Sequence, residues 1–321
     1  MLILAARLFL SVLAFGECAA LAADSSPTKP LAWPVPDWQT SPPDKVQMSE
    51  AGLEAVRKWH EQSGTRAALV IRHGRIVGEW YFAGARANEP LLAFSVTKSV
   101  SSTAVGMAIA KGKLSLTTPL GKFLPELAPA EKKTIAVGQL LSMTSGVYNN
   151  HKLDRVGDPF RYAMLEAPLD FHPGEKWDYN NTGLALLSPC FERATGQRLD
   201  EFVAARIFKP IGIRPVDWTW DEAGGLPLPY SGLHITARGL GRFGLLVLRR
   251  GRWKDRQIVP ADWLARATRP SQDLEKNYGY LWWNNAQGKW RGTPSDAFAA
   301  IGKFENDLLI VPSLDLIVVR L

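Results

Sequence analysis

The sequence predicts an α+β fold: an antiparallel sheet built from both ends of the chain and flanked by helices, with an all-α lobe inserted between the two ends. Three observations carry this. Ala67 to Phe82 is β-rich sequence interrupted by His73-Gly74-Arg75, the pattern of a hairpin. From Ser95 to about residue 234 the pattern changes to helices and loops. Strand-like runs then return at Tyr278 to Trp283, Ala297 to Ile301, Leu308 to Val311 and Leu316 to Arg320. A βαβ sheet would alternate strands with helices along its length, and no G-x-G-x-x-G, P-loop or internal repeat occurs.

The elements follow in order. Met1 to Ala22 has one early basic residue, Arg7, an apolar run from Leu8 to Phe15 and the small-residue end Ala20-Leu21-Ala22, which predicts a signal peptide over 1–22 and an exported, periplasmic or secreted protein. The run is too short to span a bilayer stably. A buried N-terminal helix is the alternative, because Glu17 interrupts the segment late, and Glu17 directly before Cys18 disfavours a lipoprotein signal. Residues 23–46, rich in Pro, Ser and Thr with Trp33 and Trp38, read as an extended arm on the body. Ser49 caps a helix over Glu50 to Gln62, and the hairpin follows.

Within 95–234 the helical runs are Val96 to Ala110 closed by Gly112, Val137 to Met143, and Gly183 to Ala194 closed by Gly196. Thr236 opens a further helix to about Arg250, and Pro260-Ala-Asp-Trp-Leu begins a short one. Residues 47–94 and 235–321 are therefore expected to form a sheet lobe, residues 95–234 a helical lobe, and the active site to lie between them. Leu321 ends the chain where a buried strand is expected, which predicts a further C-terminal helix.

Composition narrows the function classes. With 321 residues, 46% of them hydrophobic, 21% charged and twelve Trp, the chain can bury a large core. The net charge of +7 is dispersed apart from Arg249-Arg250-Gly-Arg252, which reads as the end of a helix and argues against nucleic acid as a partner. The five His show no paired ligand spacing, so no metal is expected. Loss of residues 1–22 would leave Cys190 as the single thiol, so no internal disulfide is expected.

Two motifs carry chemistry. Ser95-Val-Thr-Lys98 is an S-x-x-K at a helix start, where three-residue spacing puts Ser and Lys on one face and the helix N-terminus supplies unpaired N–H groups for an oxyanion. A partly desolvated Lys has a lowered pKa and can take the Ser proton. The motif alone is weak: Ser26-Pro-Thr-Lys29 repeats it in the arm. What favours Ser95 is the run of small and apolar residues after it, a helix that must be buried; the plain alternative is that Ser95 is a helix N-cap. Tyr179-Asn180-Asn181 is a Y-x-N after the turn sequence Pro173-Gly174-Glu175, and Tyr148-Asn149-Asn150 repeats that pattern too. A phenol beside Lys can relay protons, and either Tyr could equally be an ordinary half-buried aromatic.

Several ordered blocks resemble the serine β-lactamase and penicillin-recognising superfamily: Ala93 to Val100; Gly112 to Leu116 with Leu120 to Pro125; Ile135 to Gly146; Pro173 to Asn181; Ser231 to Arg238 with Phe243-Gly244; and Ile310 to Arg320. The resemblance runs from about residue 65 to the end and is closest to class C β-lactamases, their esterase relatives and 6-aminohexanoate-dimer hydrolases. It selects Ser95 over Ser26 and Tyr179 over Tyr148. It implies a β-lactamase-like fold, Ser95 as nucleophile, Lys98 and Tyr179 as acid/base partners, an acyl-enzyme intermediate and no cofactor.

The departure lies in the family's K-T-G or H-x-G strand. Its nearest equivalent is Ala300-Ile301-Gly302, followed by Lys303-Phe304-Glu305-Asn306 where many relatives have a Gly-Gln pair. Gly302 permits close backbone approach, and the N–H of Lys303 is expected to join that of Ser95 as oxyanion donor, with Asn181 a further substrate-binding residue. The expected activity is hydrolysis of a small ester or amide more readily than a lactam, because the strand lacks the family's polar or cationic side chain. A non-catalytic ligand-binding or sensing protein of the same fold is the alternative. A transpeptidase acting on peptidoglycan is disfavoured by the absence of that strand motif.

Overall fold

The computed structural model describes residues 32–214, 217–219 and 225–321. The expected signal segment, Cys18 and the Ser26/Lys29 pair lie outside the described residues.

Helix α1 (Glu50–Gln62) is capped by Ser49, whose side chain accepts from the Gly52 N–H at 3.2 Å. Strands β1 (Ala67–Arg72) and β2 (Arg75–Tyr81) form the expected hairpin, with His73 and Gly74 both at positive φ in the turn. A short strand β3 (Leu91–Leu92) leads into α2 (Val96–Ala110). The intervening residues carry α3 (Val137–Leu141), α4 (Asn181–Ala185), α5 (Leu187–Thr195) and α6 (Leu199–Val203). Strand β4 (His234–Ile235) pairs back on β3, so the chain enters and leaves the helical region side by side.

Helix α7 (Ala237–Leu248) is capped by Thr236. The minor hairpin of β5 (Arg252–Trp253) and β6 (Arg256–Gln257) follows, then α8 (Ala261–Ala267), β7 (Trp283–Asn284), β8 (Phe298–Ile301), β9 (Asp307–Val311) and β10 (Leu316–Arg320). The main sheet is six-stranded in the order β2-β1-β10-β9-β8-β7, and every neighbouring pair is antiparallel. The first and last strands of the described residues, β1 and β10, thus pair inside the sheet.

Period-2 patterning decides which layer each strand residue joins. Leu69, Ile71, Ile317 and Val319 enter the larger core beneath α7, whereas Val70, Leu316 and Val318 pack on the opposite face with Val46, Leu53 and Val56. The arm lies on the body: Trp38 donates to the Arg238 carbonyl at 3.2 Å, and Trp33 meets the Trp253 ring at 5.2 Å.

Two sequence expectations are corrected, the first being that Gly183 to Ala194 is not one helix but is divided at Leu186 between α4 and α5. Tyr278 to Trp283 is not a continuous strand, because Leu281 sits at φ +62 and the Gly279 N–H bonds the Trp282 carbonyl at 2.8 Å, folding the run into a tight turn that contributes only Trp283 to β7. Tyr278 and Trp282 are fully buried, so the aromatic run serves the core rather than a strand.

Candidate active site

Helix α2 carries the nucleophile candidate, and the backbone before it is strained. Phe94 has φ +48, a left-handed conformation costing a non-Gly residue about 1–3 kcal/mol and concentrated at functional sites. Thr97 holds this turn: its hydroxyl donates to the Phe94 carbonyl at 2.6 Å and accepts from the Leu233 N–H at 3.2 Å. Ser95 occupies the cap position of α2, yet its side chain makes no capping bond. Its Oγ instead meets Lys98 Nζ at 2.8 Å and the hydroxyl of Tyr179. The plain N-cap reading of Ser95 does not describe it.

Lys98 is 1% exposed. Its ammonium donates to the Tyr230 carbonyl at 2.9 Å and lies 4.8 Å from the centre of the Tyr179 ring and 5.8 Å from that of Tyr230. Burial holds its pKa well below the ordinary lysine range, so the neutral amine becomes accessible.

Tyr179 is pushed up to about 12 by burial, with the Ser95 hydrogen bond opposing. Its ring is fixed by a stacked Trp283 at 5.8 Å and an edge-on Tyr278 at 6.1 Å. The loop around it is pinned by backbone bonds and by Asn180, which is 2% exposed and accepts from the Gly183 N–H at 2.7 Å to cap α4. The second Y-x-N has a supporting role: Tyr148 is 41% exposed, while Asn149 Nδ2 donates to the Tyr179 carbonyl at 3.0 Å.

Asn181, the first residue of α4, has a buried Oδ1 with no hydrogen-bond partner among the described residues. Gly302 follows β8 and packs against the turn before Ser95: a Cβ there would stand 2.6 Å from the Ala93 carbonyl oxygen and 3.2 Å from the Ser95 nitrogen, so only glycine permits the approach. Lys303 begins the turn beyond it and holds its ammonium 5.0 Å from the Phe304 ring. Ala300 is buried in the core, so that stretch of β8 offers the cleft no polar side chain.

The structure therefore brings Ser95, Lys98 and Tyr179 into direct contact and sets Gly302 against them. Sequence reasoning missed three contributors. The Tyr230 carbonyl anchors Lys98, one residue before the block at Ser231. Phe94 carries the strained turn. Trp177, Tyr278 and Trp283 cage Tyr179. Among the described residues no three His, Cys, Asp or Glu side chains could hold a metal ion.

Comparison with known proteins decides the family, since the model of the beta-lactamase family matches residues 55–321. The chain belongs to the beta-lactamase family. It is 27% identical to a 6-aminohexanoate-dimer hydrolase of Paenarthrobacter ureafaciens over 81% of this chain and 73% of that protein. It is 31% identical to esterase EstB of Burkholderia gladioli over 51% of this chain, spanning about half (49%) of that relative. Among solved structures, a penicillin binding protein from Bacillus halodurans superposes with a TM-score of 0.65 at 20% identity, covering 83% of this chain and 94% of that one. With this family and these hydrolase relatives, the protein is a serine hydrolase with a β-lactamase-like fold.

Proposed function

We propose that the protein hydrolyses small esters or amides through an acyl-enzyme on Ser95. The observation that carries this reading is the 2.8 Å contact between Ser95 Oγ and a fully buried Lys98 whose remaining partners are neutral. Burial raises the Tyr179 phenol and lowers the Lys98 ammonium, which favours neutral Lys98 as the base and a protonated Tyr179. As the Oγ–carbonyl bond forms, the Ser95 proton passes to neutral Lys98 and negative charge collects on the carbonyl oxygen. The N–H groups of Ser95 and Lys303 are the proposed donors to it. The bond to the leaving group then breaks, and the proton reaches the departing alkoxide or amine from Lys98 through the Tyr179 hydroxyl. Water reverses the steps, with Lys98 again taking the proton, and frees the acid.

A preference for neutral substrates rests on β8. Lactam antibiotics carry a carboxylate, and Ala300 and Ile301 offer it no hydrogen bond, whereas a neutral acyl group loses nothing there. The test is a panel of p-nitrophenyl esters, D-amino-acid amides, linear amide oligomers and a chromogenic cephalosporin, run on the wild type and on Ser95→Ala. Turnover of esters or amides that vanishes in Ser95→Ala, with the cephalosporin slower by about a thousandfold, is expected. A cephalosporin cleaved as fast as the best ester would refute the preference, and Lys303→Ala would then identify the residue responsible. No turnover of any compound would favour a ligand-binding protein instead.

A further inference from the structure

Phe304 is 70% exposed, the highest value for a large apolar side chain among the described residues, and it is nonetheless held firmly. Phe304 and Glu305 both take the left-handed conformation, at φ +61 and +59. The turn is pinned from both ends. On one side the Gly302 N–H bonds the Asn306 carbonyl at 2.7 Å and Asn306 Nδ2 bonds the Lys303 carbonyl at 2.6 Å. On the other, Glu305 pairs with Arg320, which is itself buried, stacked on Trp59 and bonded to Thr65 Oγ1 at 2.8 Å and the Ser63 carbonyl at 2.7 Å. The ring so presented meets the Phe94 ring edge-to-face at 5.4 Å, and Phe94 is bonded to Ser95. Folding gains little from a ring left in water, so two strained residues that hold one out beside the nucleophile point to something that covers it.

We propose that Phe94 and Phe304 form an apolar platform for the acyl group, and that the preferred substrates are esters with a large uncharged acyl group, medium-chain alkyl or aryl, over acetyl esters. This rests on the acyl-enzyme reading above. The leaving group must depart toward its proton donors, Lys98 and Tyr179. The acyl group stays on Ser95, beside Phe94 and the Phe304 ring that meets it, where Gly302 is packed against Ala93 and Ser95 and presents no side chain of its own.

The experiment compares kcat/KM for p-nitrophenyl acetate and octanoate, and for acetates of alcohols of increasing size, in the wild type, Phe304→Asn and Phe304→Tyr. Asn tolerates a left-handed backbone, so Phe304→Asn removes the ring without adding strain, and thermal melting verifies its folding. Covering one aromatic side chain corresponds to roughly ten- to a hundredfold in rate. The wild type should favour octanoate by that order, Phe304→Asn should lower the octanoate-to-acetate ratio by about tenfold, and Phe304→Tyr should keep it. An unchanged ratio in Phe304→Asn, or a loss that follows the alcohol rather than the acyl chain, would overturn the proposal. Wild-type protein that cleaves amides but no ester would overturn this proposal alone, and protein that cleaves neither would overturn the acyl-enzyme reading with it.

Discussion

The proposed role of Lys98 rests on where it sits. A lysine in water is protonated at neutral pH and cannot accept a proton; burial against two tyrosine rings and a carbonyl weakens that preference. Lys98→Ala should lower kcat/KM by roughly 10²- to 10⁴-fold, the usual worth of general-base catalysis, and wild-type kcat/KM should rise with pH as the amine loses its proton. Tyr179→Phe should be severe and Tyr148→Phe within about twofold, because only Tyr179 reaches Ser95; equal effects of the two changes in steady-state assays would contradict the assignment. Ser95 and Lys98 were legible because a side-chain motif at a helix start has a spacing. The Tyr230 carbonyl and the left-handed Phe94 were not, since backbone groups and dihedrals leave no mark in residue identity. Choosing between the two Y-x-N copies required resemblance to a family; the residues alone left it open.

Among the elements, β9 makes stability depend on pH. Asp307 opens β9 with its carboxyl buried, and burial pushes it up to about 7, with Arg320 opposing and Glu305 reinforcing the shift. A raised folded pKa means that the native state holds a proton the unfolded chain releases between about pH 4 and 7, so this contribution to stability is full below pH 4 and lost as pH rises through 7. Asp307→Asn should therefore be more stable than wild type at pH 8, by at most a few kcal/mol, and equal to it near pH 4. Urea denaturation at both pH values checks this, and a gain independent of pH would contradict it. Helix limits were readable to within a few residues because caps such as Ser49 and Thr236 have a chemistry of their own. The run from Tyr278 to Trp283 misled because aromatic residues favour strands and buried clusters alike, and only the turn at Leu281 separates the two.

For the molecule as a whole, the pairing of β1 with β10 joins the two ends of the sheet lobe, and the backbone N–H groups of Arg66 and Ala67 bond the Leu321 carbonyl at 2.7 and 2.9 Å. That architecture was legible from the order of hairpin, helical insert and returning strands. What it accomplishes is to bring three distant stretches to one point: the start of α2, the Tyr179 loop and the end of β8. Their meeting was not deducible from local pattern, because each is specified by its own neighbours. The central claim is that this meeting activates Ser95. The most direct measurement is mass spectrometry of the folded protein after treatment with a fluorophosphonate probe, beside Lys98→Ala. The account predicts one adduct, on Ser95, formed far more slowly in Lys98→Ala; an unmodified Ser95 in folded wild-type protein, or a label on another residue, would contradict it.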